Sequence, residues 1–159
     1  MQIGQKGIDL IKHFESCSLE AYLCPSKIPT IGWGNTTYPN GKGVKLGDKI
    51  TQKQADEIFL QSLYRYEKLV KDNVKRDLLQ HEFDALVSFV YNCGTSYKIG
   101  RSWTKYQIFK NVDDNMPKDE LQKYWEVLCI TGGGKVLNGL KKRRMSEVHL
   151  FNNDELKFF

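Results

Sequence analysis

Three side chains near the N-terminus have types and spacing suited to bond cleavage by acid and water. Glu15 is followed nine positions on by Cys24 and six further by Thr30. A carboxylic acid can donate a proton, and a hydroxyl can hold a water by donating and accepting. A thiol is a weak hydrogen-bonding group when neutral and a nucleophile or base when ionised. Its ordinary pKa is about 8.5, so the thiolate is the minor form at neutral pH unless a cation such as Lys27 lowers it. Each residue also has a plainer reading. Glu15 could make an ion pair at a helix end, Cys24 could be a packed small side chain, and Thr30 is an ordinary β-branched strand residue.

The elements around them follow from periodicity. Ile3, Gly7, Leu10, Ile11 and Phe14 recur at helical spacing. Ile8, Ile11 and Glu15 continue the stripe, so Glu15 ends an apolar face where its charged form is partly desolvated. The period then changes to that of strands. Ala21 to Cys24 reads as one strand, Pro25-Ser26-Lys27 as a turn and Ile28 to Trp33 as a second strand. On that strand Thr30, Gly32 and Gly34 share one face, with Ile31 and Trp33 on the other. A helix end and a hairpin are thereby expected to bring Glu15, Cys24 and Thr30 together.

Residues 36–43 are turn-rich, and Val44 to Ile50 reads as a third strand or an irregular loop. Thr51 and Gln54 form a capping box ahead of a long stripe, Ala55, Ile58, Phe59, Ser62, Leu63, Tyr66, Leu69 and Val70. A further apolar helix carries Phe83, Leu86, Val87, Phe89, Val90 and Tyr91 and stops at Gly94. Thr95 to Gly100 reads as a loop, and Ser102 as the cap of a helix from Trp103 to about Asn111. Pro117 suits a first helical position ahead of Leu121, Tyr124, Trp125 and Leu128. Gly132-Gly133-Gly134 interrupts the chain without the flanking strand and Ser or Thr of a phosphate loop. A last helix is anchored by Leu140, Val148 and Phe151 and ends near Asn152-Asn153.

The 159 residues suffice for one domain with a core. No apolar run reaches the ~18–20 residues of a membrane span. The N-terminus has no apolar signal region. A net charge of +5 favours an anionic partner without selecting one. Cys17, Cys24, Cys93 and Cys129 lack zinc spacing, and free thiols are expected in a reducing compartment. His13, His81 and His149 are scattered; neither metal nor cofactor is expected. Lys141 to Arg144 invites a nucleic-acid reading, but no nucleic-acid motif accompanies it, and a helix surface with some of its basic residues facing a cleft is the commoner explanation.

The Glu15, Cys24, Thr30 spacing, with Ala21-Tyr22 and Pro29-Thr30-Ile31-Gly32-Trp33-Gly34 around it, resembles the signature of phage-type lysozymes (endolysins) of glycoside hydrolase family 24. The resemblance continues at Phe83 to Gly94 and Gly133 to Arg144 and covers nearly the whole chain. Many members carry Asp where this chain has Cys24. The resemblance implies an α+β, mostly helical, lysozyme-like fold with two lobes flanking a cleft. The small β-hairpin lobe is expected at about 15–50. The helical lobe is expected at about 51–159 plus the N-terminal helix, all within a single catalytic domain, 1–159. It implies hydrolysis of the N-acetylmuramic acid–N-acetylglucosamine bond of peptidoglycan, with Glu15 as general acid and Cys24 and Thr30 positioning or activating water. Trp33, Tyr91 and Asn92 are the expected sugar contacts, Trp33 being equally suited to the core, and Arg143 or Arg144 the expected cation near Glu15. The expected partner is peptidoglycan, met by a monomer with no nucleic acid and no stable membrane insertion. The setting is phage lysis of a bacterium, from the cytoplasm of the producing cell after release by a holin. A lytic transglycosylase, or a non-catalytic binder of peptidoglycan or nucleic acid, are the competing readings.

Overall fold

Helical spacing gives way to alternation after Phe14, and the backbone follows it. The structure, a computed structural model, describes residues 1–24, 27–94 and 107–159, together with the backbone of the strands at 97–99 and 102–104. The expected turn residues Pro25 and Ser26 lie outside the described residues. The chain groups into two units, 12–65 on the one hand and 1–11 with 66–159 on the other.

In the 12–65 unit, β1 (Ser18–Leu23) pairs antiparallel with β2 (Pro29–Gly32), with Tyr22 opposite Thr30 and Leu23 opposite Pro29. A bulge between Ser18 and Tyr22 breaks the register. Residues 48–50 pair with the other edge of β1. The Ala21 N–H donates to the Asp48 carbonyl and the Ile50 N–H to that of Leu19, both at 2.9 Å. The end of the Val44 to Ile50 stretch is therefore strand-like. β2 is shorter than the expected Ile28 to Trp33, because Gly32 takes φ +62 and Gly34 φ +93, conformations that break the pleat. Ile31 and Asn35 exchange both backbone hydrogen bonds across that turn, each 2.9 Å. Trp33 thus sits in a turn rather than on a strand face.

The turn delivers the chain to α2 (Gln52–Asn73), whose start is the expected capping box. The Gln54 N–H donates to Thr51 Oγ1 at 3.2 Å, and the Thr51 N–H to Gln54 Oε1 at 2.8 Å. Ala55, Ile58, Phe59 and Leu63 are buried as their spacing required.

In the other unit a single carboxylate organises the first helix. Asp84, on α3 (Gln80–Cys93), accepts the N–H groups of Gly4 at 2.8 Å and Gly7 at 3.3 Å at the start of α1 (Gln5–Phe14). These donors have no partner inside a helix. A Cβ at Gly7 would lie 2.9 Å from the Asp84 Cβ and 2.6 Å from Ile3 Cγ1. Alanine there gains about 1 kcal/mol of helix propensity but meets a neighbour held by its own bonds. Gly7→Ala is expected to destabilise the protein by about 1–2 kcal/mol, read by urea unfolding.

Residues 83–90 of α3 are all buried, and Gly94 closes the helix with φ +73, its N–H on the Val90 carbonyl. The following segment departs from expectation. A hairpin of β3 (Tyr97–Ile99) and β4 (Ser102–Thr104) stands where a loop and a capped helix were expected. Thr95, Ser96 and Gly100 lie outside the described residues. The helix begins later, as α4 (Gln107–Asp113), followed by α5 (Lys118–Trp125) just after Pro117. β5 (Thr131–Gly132) and β6 (Lys135–Val136) form a hairpin turned by Gly133 and Gly134 at φ +57 and +79, a two-residue turn that suits strand twist. α6 (Asn138–Asn153) packs on α3 and α5, and Trp125 meets Phe89 and Phe151 with ring centroids 5.5 and 5.4 Å apart.

Glu82 fixes the start of α3. Its two oxygens take a fork from Arg76 at 2.9 and 2.8 Å, and Oε2 accepts the Leu79 N–H at 2.9 Å. Burial pushes its pKa up, but the Arg76 and Leu79 bonds outweigh that and hold it below the usual glutamate value. The folded value lies below the unfolded one, so this carboxylate stabilises fully above the unfolded value. That contribution is lost as pH falls through the folded one. Glu82→Gln is expected to cost about 1–2 kcal/mol at pH 7 and to flatten the loss of stability below about pH 4, checked by urea unfolding across pH.

Candidate active site

The hairpin register decides which side chains share a face. Tyr22 is directly opposite Thr30, and Cys24 follows Tyr22 by two, so alternation places Tyr22, Cys24 and Thr30 on one side. The Cys24 N–H donates to the Ile28 carbonyl at 3.1 Å, and the Cys24 carbonyl accepts the Lys27 N–H at 2.7 Å. Cys24 is half-buried. Thr30 is only 4% exposed, and its hydroxyl donates to the Ile28 carbonyl at 2.9 Å. That bond uses its one donor and leaves the oxygen lone pairs as acceptors.

Glu15 is the first residue beyond α1 and is half-buried. Tyr22 links it to the hairpin electrostatically. Burial raises the Tyr22 phenol above its ordinary value, and the negative charges of Glu15 and then Cys24 raise it further. Glu15, Tyr22 and Cys24 therefore form one electrostatic neighbourhood. Tyr22 was not among the residues singled out from sequence. Its signal was the two-residue step to Cys24, which alternation converts into a shared face.

Trp33 is held by its own unit. Its indole N–H donates to Asp56 Oδ1 at 2.8 Å, and Lys12 Nζ stands over the ring, 4.7 Å from its centroid. Lys12 also reaches Asp56 Oδ1 at 2.7 Å, and Gln52 Nε2 reaches Oδ2 at 3.4 Å. The bonds from Lys12 and Trp33 hold the Asp56 carboxyl below the usual aspartate value. This arrangement fixes the indole at the hairpin's turn.

Tyr91 and Asn92 belong to the other unit, in the last turn of α3. The Tyr91 ring lies 4.8 Å from that of Tyr66, and Asn92 Oδ1 accepts Arg144 Nη2 at 3.1 Å. Glu15, Cys24, Thr30 and Trp33 are thus residues of one unit, and Tyr91 and Asn92 of the other.

The basic run at 141–144 is not a uniform surface. Lys141 and Lys142 are exposed, but Arg143 and Arg144 are 2% and 0% exposed and gather on a fully buried Glu147. Arg143 Nε donates to Glu147 Oε1 at 3.1 Å, and Arg144 Nη2 to the same oxygen at 2.9 Å. Arg144 Nε adds an ion-pair contact of 2.8 Å to Oε2 without a hydrogen bond. Ser88 Oγ and Trp125 Nε1 complete the carboxylate at 2.8 and 3.2 Å. Separations of four and three residues along α6 put Arg143, Arg144 and Glu147 on its inner face, against Ser88 of α3 and Trp125 of α5. Both guanidiniums bond to Glu147, and they belong to the unit that does not carry Glu15. Among the described residues, no group of three or more His, Cys, Asp or Glu side chains could hold a metal ion.

The model of the phage lysozyme family matches residues 12–147. The endolysin of Lactococcus phage c2 is 36% identical over 155 residues, covering 96% of this chain and 61% of the relative. The chain therefore spans about three fifths of that relative's length. The endolysin of Acyrthosiphon pisum secondary endosymbiont phage 1 is 32% identical over 96% of this chain and 99% of its own. Among solved structures, an endolysin from Escherichia coli O157:H7 phage FAHEc1 superposes with a TM-score of 0.79 at 35% identity, covering 99% of this chain and 97% of that one.

Proposed function

The chain belongs to the phage lysozyme family, and from that membership we propose that it is an endolysin. It hydrolyses the bond between N-acetylmuramic acid and N-acetylglucosamine in bacterial peptidoglycan. The observation that carries the reading to particular residues is the shared neighbourhood of Glu15, Tyr22 and Cys24, backed by the Tyr22–Thr30 pairing.

Glu15 delivers its proton to the glycosidic oxygen as the bond to the sugar's anomeric carbon breaks. The departing sugar leaves with that proton, and positive charge develops on the ring that remains. Water then adds to the anomeric carbon and releases one proton, which returns through solvent to restore the Glu15 acid, giving a reducing end. Cys24 positions or activates this water, and the Thr30 oxygen accepts a hydrogen bond from it. Trp33, Tyr91 and Asn92 are the sugar contacts, with Trp33 prefixed by Asp56 and Lys12.

Residues 1–159 act as one catalytic domain, a monomer whose polymer is peptidoglycan. Burial of Arg143 and Arg144 supports the reading without nucleic acid, since it removes two of the four cations in the basic run. The protein is made in the cytoplasm of the producing cell and let through the membrane by a holin. Among the described residues no helix is long and apolar enough to cross a membrane.

The test is release of soluble sugar fragments from purified peptidoglycan by Cys24 variants in a Cys17→Ser background. Cys24→Asp is expected to stay active and Cys24→Ala to lose about 10²-fold, the smaller end of acid–base contributions. Iodoacetamide should inhibit the parent and spare Cys24→Asp. Full activity in Cys24→Ala would remove the thiol from the chemistry.

A further inference from the structure

One carboxylate of the 12–65 unit holds the chain on both sides of Glu15. Asp56, in the second turn of α2, takes two donors on the same oxygen, Oδ1. Lys12 Nζ reaches it at 2.7 Å and the Trp33 indole N–H at 2.8 Å. Gln52 Nε2 stands 3.4 Å from the other oxygen, Oδ2, and 3.7 Å from Cys17 Sγ. The Cys17 thiol in turn lies 3.8 Å from Gln52 Oε1, so the amide bridges thiol and carboxylate. Lys12 precedes Glu15 by three residues, Cys17 follows it by two, and Trp33 follows Thr30 by three. We propose that Asp56 is a positioning residue that sets the Glu15 carboxyl relative to the Thr30 strand by holding all three neighbours at once.

Magnitudes separate this role from plain stabilisation. The Lys12 and Asp56 side chains are 29% and 37% exposed, and an ion pair so open to water contributes little to folding. Its geometry, by contrast, is tightly determined. Ala55, Ile58 and Phe59 are buried on either side of Asp56, so α2 carries the carboxylate on a packed support. The Lys12 ammonium is further confined, 4.7 Å from the centroid of the Trp33 ring and 5.5 Å from that of Phe59, where the negative ring faces attract it.

Glu15 needs such anchors because of where it stands. It is the first residue after α1, and the last carbonyls of a helix lack helical partners and fray. A tie one turn earlier and a second two residues later restrict that end. On the hydroxyl side, Gly32 and Gly34 take φ of +62 and +93, and the indole bond of Trp33 fixes the residue between them. The two sides meet on one oxygen, so acid and strand share a single reference point. Displacing reacting groups by about 1 Å costs about 10²-fold in rate. This role rests on Glu15 being the acid, as proposed above.

The test is to compare Asp56→Ala with the parent on solubilised glycan strands of peptidoglycan, with thermal melting of the same preparations. The expected result is a fall of about 10²-fold in kcat, larger than any rise in KM, with the midpoint within about 4 °C of the parent. Asp56→Asn keeps an oxygen acceptor and should recover about tenfold of that loss. Lys12→Met, which keeps the Trp33 bond, should lose about tenfold in kcat. Unchanged kcat with only KM raised would mean that Asp56 serves the Trp33 sugar contact alone, and would overturn the proposal. A midpoint that falls in step with activity would overturn it too, since the carboxylate would then be structural. Glu15→Gln is run alongside, and retained activity there removes the acid and with it the hydrolytic reading. An inactive Glu15→Gln beside a fully active Asp56→Ala removes the positioning role alone.

Discussion

Glu15→Gln is expected to lower release of soluble sugar from peptidoglycan by about 10³-fold while leaving the thermal midpoint within about 2 °C of the parent. The amide keeps the size and most of the hydrogen-bonding shape of the acid but has no proton to give. The leaving sugar would then depart as an alkoxide, and acid catalysis at that step is what glycoside cleavage demands. Glu15 is half-buried just beyond the end of α1, and the amide fills the same volume. A purely structural ion pair would produce the opposite pattern, with a shifted midpoint and retained activity. A binder built on the same scaffold would lose neither. Activity and melting measured on the same preparation separate the three.

The second large effect lies in the core of the other unit. Glu147→Ala leaves Arg143 and Arg144 buried without their carboxylate, along with the Ser88 hydroxyl and the Trp125 N–H that it accepted. Breaking a buried ionic cluster by removing one member costs about 3–5 kcal/mol, because the remaining charge is stranded away from water. For a chain of this length that is a fall of about 10–15 °C in thermal midpoint. Lys141→Ala and Lys142→Ala, six and five positions before Glu147 on the same helix but exposed, should stay within about 0.5 kcal/mol of the parent. Equal, small effects at all the positions would mean that the cluster contributes nothing to the fold.

That contrast also shows where the sequence could be read and where it could not. Local signals were legible. Thr51 and Gln54 bond reciprocally at the start of α2, the stripe from Ala55 to Leu63 is buried, and Gly94 ends α3. Each of these depends on residues within a turn or two of one another. The change of period after Phe14 placed the hairpin, though the positive φ of Gly32 ended β2 earlier than alternation suggested. Polar groups in the core were not legible. Lys-Lys-Arg-Arg reads as solvated surface because charge is normally exposed. The sign that half of it is internal was Glu147, three residues from Arg144 and four from Arg143 on one helix face. Asp84 was hidden more deeply. Its partners are backbone N–H groups 77 and 80 positions away, and no periodicity encodes such a contact. The β3–β4 hairpin was missed because three-residue strands carry too few alternations to register. The β5–β6 hairpin was missed for the same reason: Gly132-Gly133-Gly134 read as an interruption with no strand before it, whereas Thr131–Gly132 pairs with Lys135–Val136 across Gly133 and Gly134.

At the candidate site, the Glu15, Cys24, Thr30 spacing was visible from the start, and Tyr22 was not. Alternation alone puts Tyr22 beside Cys24, but only the register of β1 on β2 sets it opposite Thr30. Burial and then the Glu15 and Cys24 charges raise the Tyr22 phenol.

The most direct test of the central claim is mass spectrometry of the fragments released when the purified protein digests peptidoglycan. Hydrolysis by Glu15 and an attacking water predicts muramic acid at the reducing end, with one oxygen from solvent when the digestion is run in labelled water. Anhydro-muramic acid without label would contradict it, because the sugar's own hydroxyl would then have taken the place of water.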